Sequence, residues 1–80
     1  MTADVDTILG LVQTVTGKEY DRAEISEETS LLDDLALTSI QTVDMIMAIE
    51  EKFDVEIEDV DLDKLRTFGQ IIAYINEKTS

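Results

Sequence analysis

The sequence predicts an all-α domain, a four-helix bundle of three main helices plus one short helix, with a long loop between helices one and two. Two observations carry this prediction. Apolar residues recur at helical spacing in three separate segments, and two of these segments begin with a capping box. The chain has 80 residues and 44% of them are hydrophobic, so we expect a single domain over residues 1–80 with an ordinary apolar core.

The first helix is predicted over residues 4–16. Its apolar positions follow the spacing of an amphipathic helix: Val5, Ile8, Leu9, Val12 and Val15. Gly17 then stands where helices commonly end on a residue in the left-handed conformation. The pattern therefore gives this helix both a buried face and a defined end.

No period continues through the segment from Lys18 to Leu37, which is predicted to be a long, acidic loop. Its leucines are the side chains that can hold such a loop against a core: Leu31, Leu32, Leu35 and Leu37. A loop of this length is unusual in a small domain and is often functional.

Two capping boxes mark the next long helices. Thr38 is followed three residues later by Gln41, and the apolar pattern then continues to Phe53, which predicts helix two. The segment 67–70 repeats the same box and predicts a last helix that ends near Lys78.

Between helix two and the last helix, Phe53, Val55 and Ile57 alternate with acidic residues. A single short strand cannot satisfy its backbone groups, so we expect an extended segment that turns Val55 and Ile57 inward. Residues 59–65 are predicted to form the short helix of one or two turns.

Helix two has two apolar faces. At 100° per residue, one contiguous arc forms the predicted core face, made of Met45, Ile46, Ile49 and Phe53. A second strip on nearly the opposite side consists of Ile40, Val43 and Met47, flanked by the acids Asp44, Glu50 and Glu51. Neighbouring elements could cover both faces, or the second strip could dock onto a partner. Burying three carboxylates beside it would be costly, which favours a strip that is at least partly exposed for docking.

The charge of the chain limits its partners. Nineteen acidic residues against six basic ones give a net charge of −13, which disfavours nucleic acid and anionic membranes and favours proteins with basic patches. The amino terminus has no positive leader, and no apolar run approaches the ~20 residues of a membrane span, so we expect a cytoplasmic protein. We also expect it to be a monomer.

The chain has no histidine and no cysteine, so the common proton shuttle, thiolate nucleophile and zinc ligands are missing. We therefore expect no catalytic residues and no metal site. The run from Asp59 to Asp63 begins like a calcium loop, but Lys64 stands where glycine is required and Gln70 where a bidentate glutamate is required.

Ser39 is the first helical residue if Thr38 is the N-cap. Its hydroxyl then lies at the positive end of the helix dipole, where a phosphate ester would be stabilised. Serine and threonine also gather at helix starts for capping alone, so this position by itself does not indicate a function.

The segment 34–40, Asp-Leu-Ala-Leu-Thr-Ser-Ile, and the helix that follows through Asp54 resemble the acyl carrier proteins. The order of helices and loop is similar over nearly the whole chain. The resemblance implies that Ser39 takes a 4′-phosphopantetheine arm from coenzyme A through a phosphopantetheinyl transferase, and that the arm carries acyl or aminoacyl groups as thioesters. It also implies contacts with acyl-loading, condensing and modifying enzymes through Leu37, Ile40, Val43, Asp44, Met47, Glu50 and Glu51.

The residues around the serine depart from the fatty-acid members of that family, which usually have Gly-x-Asp-Ser-Leu. Here Ala36 replaces the glycine, Thr38 the aspartate and Ile40 the leucine. A threonine before the serine and an isoleucine after it look more like carriers of polyketide or nonribosomal peptide pathways. The alternative function is an unmodified, acidic helical adaptor that binds proteins through the same strip of helix two.

Overall fold

The computed structural model describes residues 3–79 and has three α-helices. They are α1 (Val5–Thr16), α2 (Ser39–Phe53) and α3 (Phe68–Thr79), with short 3-10 helices at Arg22–Glu24 and Asp59–Lys64. Within residues 3–79 the β-structure consists of one isolated bridge, between Ser30 and Thr67. The predicted all-α architecture of three main helices and one short helix is confirmed, and the turn at 22–24 is an addition to the predicted loop.

Hydrogen bonds at both ends fix the length of α1. The Asp4 carboxylate caps the first turn by accepting hydrogen bonds from the amide and the hydroxyl of Thr7, both at 2.8 Å. At the other end Gly17 adopts a φ of 70° and donates its amide to the Gln13 carbonyl at 2.9 Å. Glycine takes this left-handed conformation without the steric cost that a Cβ would add.

The cap of α1 predicts a shifted titration. The backbone amide of Thr7, and then its hydroxyl, hold the pKa of Asp4 below the ordinary value of 3.8. The cap therefore stabilises the fold above that value, and its contribution is lost as the pH falls through the lowered pKa. NMR titration of the Asp4 carboxyl is expected to give a midpoint below 3.8, and Thr7→Val should return it part of the way. A midpoint at or above 3.8 would contradict this origin of the shift.

The core lies where the three helices meet, and α1 packs against both α2 and α3. Its fully buried large side chains come from every long helix and from the loop: Ile8, Val12, Leu31, Met45, Ile49, Phe68, Ile71 and Ile75. Met45 and Ile49 belong to the predicted core face of α2, so the helical spacing identified that face correctly.

The long loop is held against the bundle by apolar side chains and by backbone hydrogen bonds. Leu31 is buried and Leu35 half-buried, as expected, whereas Leu32 is 48% exposed. Ile25 is also buried and contributes to the core. Three backbone hydrogen bonds link the loop to the start of α3. The Leu31 amide donates to the Arg66 carbonyl, the Phe68 amide to the Thr29 carbonyl and the Gly69 amide to the Glu27 carbonyl.

Gly69 suits this close contact between the loop and α3. A Cβ at this position would lie 3.0 Å from the Glu27 carbonyl oxygen and 3.1 Å from the Glu27 Cβ. The backbone of the loop therefore approaches the first turn of α3 so closely that a side chain at position 69 would require the loop to shift by a few tenths of an ångström.

The ends of the described chain lie next to each other. The Ala3 amide donates to the Asn76 side-chain oxygen at 2.9 Å, which ties the segment before α1 to α3. A search of residues 3–79 finds no helix with the length and apolar character needed to cross a membrane.

Candidate functional site

The start of α2 is organised by the predicted capping box. The Gln41 amide donates to the Thr38 hydroxyl at 3.1 Å, and the Thr38 amide donates to the Gln41 side-chain oxygen at 3.0 Å. The Thr42 hydroxyl also donates to the Thr38 carbonyl at 2.9 Å. These contacts make Thr38 the N-cap and Ser39 the first helical residue, as the sequence predicted.

Ser39 is exposed, and within residues 3–79 its hydroxyl has no hydrogen-bond partner. The neighbouring hydroxyls of Thr38 and Thr42 are both engaged in the cap. The first turn of α2 contains no acidic residue, so the positive end of its dipole is not neutralised there. The Ser39 hydroxyl is therefore accessible, and its surroundings suit a negatively charged substituent.

The loop reaches this site through a left-handed residue. Ala36 has a φ of 54°, and the Leu37 amide that follows donates to the Leu31 carbonyl at 3.0 Å. This turn places Leu37 in the core with only 5% of its side chain exposed. Leu37 was expected on the docking surface beside Ser39, and the structure corrects its position: the side chain packs inside the fold and lies outside that surface.

The left-handed Ala36 predicts a stabilising substitution. An L-residue is strained in this conformation and glycine is not, so Ala36→Gly is expected to raise the free energy of unfolding by about 0.5–1 kcal/mol. Ala73→Gly is a matched control, because Ala73 is an exposed alanine inside α3 and its replacement should lower stability by a similar amount. Urea denaturation measures the free energy of unfolding of both variants. A destabilised Ala36→Gly variant would contradict backbone strain at Ala36.

The second apolar strip of α2 is exposed. The exposed fractions are 76% for Ile40, 54% for Val43 and 59% for Met47. Asp44 and Glu51 are also exposed. The structure therefore places an apolar strip with two carboxylates on the surface of the helix that begins at Ser39.

Glu50, the third predicted acid, has a structural contact. Its carboxylate accepts a hydrogen bond from the Ile57 amide at 2.9 Å, and its carbonyl accepts one from the Val55 amide at 3.2 Å. Glu50 is half-buried and holds the extended segment that follows α2. The inward turn of this segment was predicted, since Ile57 is buried and Val55 half-buried, but its hydrogen bond to Glu50 was not.

A cleft of about 240 Å³ lies next to the strip, between α2 and the second 3-10 helix. It is lined mainly by apolar side chains: Val43, Ile46, Met47, Glu50, Ile57, Asp59 and Leu62. The sequence predicts Ile46 in the core and Ile57 in an inward-facing segment. The cleft itself has no local sequence signal, because it depends on how the segment after α2 folds back.

No metal centre is assembled among residues 3–79, where no group of three or more potential ligands converges. The segment that begins like a calcium loop forms the second 3-10 helix. Its Asp61 carboxylate accepts hydrogen bonds from Tyr74 at 2.8 Å and from Lys64 at 3.4 Å.

Comparison with known proteins identifies the family. Residues 6–75 match the family described as "Phosphopantetheine attachment site". An acyl carrier protein from Thermotoga maritima is 41% identical over 78 residues, which cover 95% of this chain and 96% of that protein. An acyl carrier protein from an Exiguobacterium species is 47% identical over 58 residues, which cover 72% of this chain and 73% of that protein.

Comparison with solved structures points to the same family. One match is the solution structure of a protein from Anaplasma phagocytophilum that is provisionally named acyl carrier protein. It superposes with a TM-score of 0.82 at 37% identity, covering 92% of this chain and 85% of the other. The bundle described above is therefore similar to a bundle observed for that protein.

The family's cofactor is 4′-phosphopantetheine, and its members carry intermediates without catalysing their conversion. This agrees with a chain that lacks both histidine and cysteine. From its matched domain, its relatives and its fold, the chain belongs to the acyl carrier protein family.

Proposed function

We propose that the Ser39 hydroxyl is the attachment point of a 4′-phosphopantetheine arm, and that residues 1–80 act as one carrier domain for acyl or aminoacyl thioesters. The observation that carries this proposal is the exposed, unpartnered hydroxyl at the first residue of α2, within the matched region 6–75. Thr38 and Thr42, the hydroxyls on either side, are occupied in the helix cap.

The residues at this position fit the phosphate of the arm. The amides at the start of a helix have no carbonyl partners within the helix and can donate to an anion. The nearest exposed acid on α2, Asp44, lies more than one turn from Ser39. When bound, the arm supplies a thiol, which this cysteine-free chain does not have.

A carrier of this kind works by tethering its cargo. A flexible arm presents the cargo to a docked enzyme at an effective concentration of about millimolar, without tight binding of the cargo by the carrier. The chain's own residues contribute an attachment point and a docking surface. We also propose that the chain works in the cytoplasm, where a transferase can supply the arm from coenzyme A.

The docking surface consists of Ile40, Val43, Met47, Asp44 and Glu51. The exposed apolar side chains suit an apolar groove on the partner, and the two carboxylates suit basic residues at its edge. Electrostatic attraction of this type raises the association rate more than the final affinity, which suits a carrier that visits several enzymes in turn. The partners are the phosphopantetheinyl transferase and the enzymes that load, condense or modify the cargo.

The test is the intact mass of the unmodified chain after incubation with coenzyme A and a phosphopantetheinyl transferase. A gain of one arm, located on Ser39 by fragmentation, is the expected result. An unchanged mass would favour the unmodified adaptor. A gain located on another residue would contradict Ser39 as the attachment point.

A further inference from the structure

The chain carries three methionines and neither cysteine nor tryptophan, so methionine is the side chain that a peroxide oxidises most readily in it. Met45 and Met47 both lie in α2, two residues apart, which places them about 200° apart around the helix. Met45 is fully buried in the core, whereas 59% of Met47 is exposed. Of this pair, only Met47 is therefore open to a reagent from solvent.

Met47 lies where the apolar strip of α2 meets the neighbouring cleft. Val43 precedes it by four residues, close to one helical turn, so the two side chains are neighbours on the strip. Both also line the cleft, together with Leu62 of the second 3-10 helix, which is itself partly exposed. The surroundings of Met47 are thus mainly apolar, and a partner that covers the strip also covers this side chain.

Oxidation would change the hydrogen bonding at this position. A thioether is only a weak acceptor, whereas a sulfoxide is polar and its oxygen accepts hydrogen bonds. The nearby acids on the same helix, Asp44, Glu50 and Glu51, carry carboxylates, which accept hydrogen bonds and supply none to that oxygen. In the free chain water is the donor. Under the apolar groove of a partner the oxygen loses this water, which costs binding free energy.

A sulfoxide at Met47 is compatible with the folded chain. The fully buried side chains of α2 are Met45 and Ile49, on the other side of the helix. A polar group added at Met47 therefore meets solvent in the free chain and does not enter the core. Because the chain stays folded in both states, the modification can be reversed without unfolding.

We propose that Met47 is a reversible oxidation site, at which hydrogen peroxide converts the thioether to a sulfoxide and thereby weakens docking through the strip. The oxygen–oxygen bond of the peroxide breaks, one oxygen bonds to sulfur and the other leaves as water, so sulfur loses two electrons and the peroxide gains two. A thiol-dependent reductase reverses the step: two thiols become a disulfide, and the sulfoxide oxygen leaves as water. The docking effect rests on the proposed function, whereas the oxidation itself does not.

Mass spectrometry after peroxide treatment tests the site. The full-length chain without the arm is incubated with hydrogen peroxide, catalase removes the excess, and fragmentation locates the added oxygen. Met47 is expected to oxidise about tenfold or more faster than Met45, because a buried sulfur reacts only when the structure opens. Met1, which lies outside residues 3–79, is scored separately. Hydrogen exchange of the Val12 amide in α1 should be the same before and after oxidation of Met47.

The rate of arm transfer from coenzyme A by a phosphopantetheinyl transferase tests the docking effect. At chain concentrations far below saturation, the oxidised chain is expected to gain the arm roughly fivefold or more slowly than the untreated chain. A methionine sulfoxide reductase with dithiothreitol should restore the rate. Two variants, each compared with its own untreated rate, separate Met47 from the other methionines. Met47→Leu should lose the response to peroxide, and Met45→Leu should keep it.

The proposal is overturned if peroxide slows Met47→Leu as much as the parent chain, because another residue then carries the effect. Equal oxidation of Met45 and Met47 overturns it as well, and so does an oxidised chain that gains the arm at the untreated rate. If the untreated chain gains no arm, the proposed function at Ser39 fails, while the relative oxidation of the two methionines still supports or overturns the modification site.

Discussion

Ser39→Ala is expected to gain no arm when the chain is incubated with coenzyme A and a phosphopantetheinyl transferase, whereas the parent chain gains one. The substitution removes the hydroxyl proposed to accept the phosphate. It should leave the fold intact, because Ser39 is exposed and the capping contacts of α2 come from Thr38 and Gln41. Intact mass measures the modification, and circular dichroism with urea denaturation measures the fold.

Two variants control for this result. Ser26→Ala removes another exposed serine, in the long loop, and should be modified like the parent. Thr38→Ala removes the cap and is expected to cost about 1 kcal/mol of stability while leaving the Ser39 hydroxyl available. A Ser39→Ala chain that still gains the mass of the arm would exclude Ser39 as the attachment point. Loss of modification in Ser26→Ala as well would show that the assay does not report the Ser39 hydroxyl specifically.

The double variant Asp44→Lys with Glu51→Lys is expected to lower the rate of arm transfer at low ionic strength by roughly tenfold or more. Both carboxylates are exposed on α2 beside the apolar strip, so reversing their charge removes attraction to a basic partner and adds repulsion. The dependence of the rate on salt should weaken in the variant, because screening then has less attraction to remove. Initial rates across a salt series measure both effects.

Glu50 is kept unchanged in this experiment, since its carboxylate holds the Ile57 amide and its reversal would also disturb the segment that follows α2. The matched control is Glu19→Lys with Glu24→Lys, which changes the net charge equally on the exposed loop. We expect the control to retain most of the parent rate. An equal loss in both variants would attribute the effect to total charge, and parent-like kinetics in the Asp44 and Glu51 variant would contradict docking through this face.

The helices were predictable because their signals are local. The capping boxes at Thr38 and Thr67 depend on residues three positions apart, and the hydrogen bonds of both are present. Helical spacing likewise separated the buried Met45 from the exposed Met47. Exposure of the predicted strip on α2 follows from the same local pattern, while its role in docking stays a prediction.

The features that have no local sequence signal depend on contacts between distant segments. Leu37 is adjacent to the start of α2, but the left-handed turn at Ala36 and the hydrogen bond to Leu31 direct it inward. On a helical wheel Glu50 is a surface acid. Its contact with the Ile57 amide forms only because the chain after α2 folds back. Tyr74 and Asp61 lie 13 residues apart, with no short-range pattern that connects them.

The contact between Ala3 and Asn76 has a practical consequence for engineering. Because these two residues touch, residues 3–79 can be closed into a ring with a short peptide spacer, and the polypeptide can be reopened between Lys18 and Glu19. That position is exposed and lies outside all three α-helices, which are the conditions under which circular permutation succeeds. A permuted chain of this kind would move the free ends to the long loop and leave the start of α2 uncut.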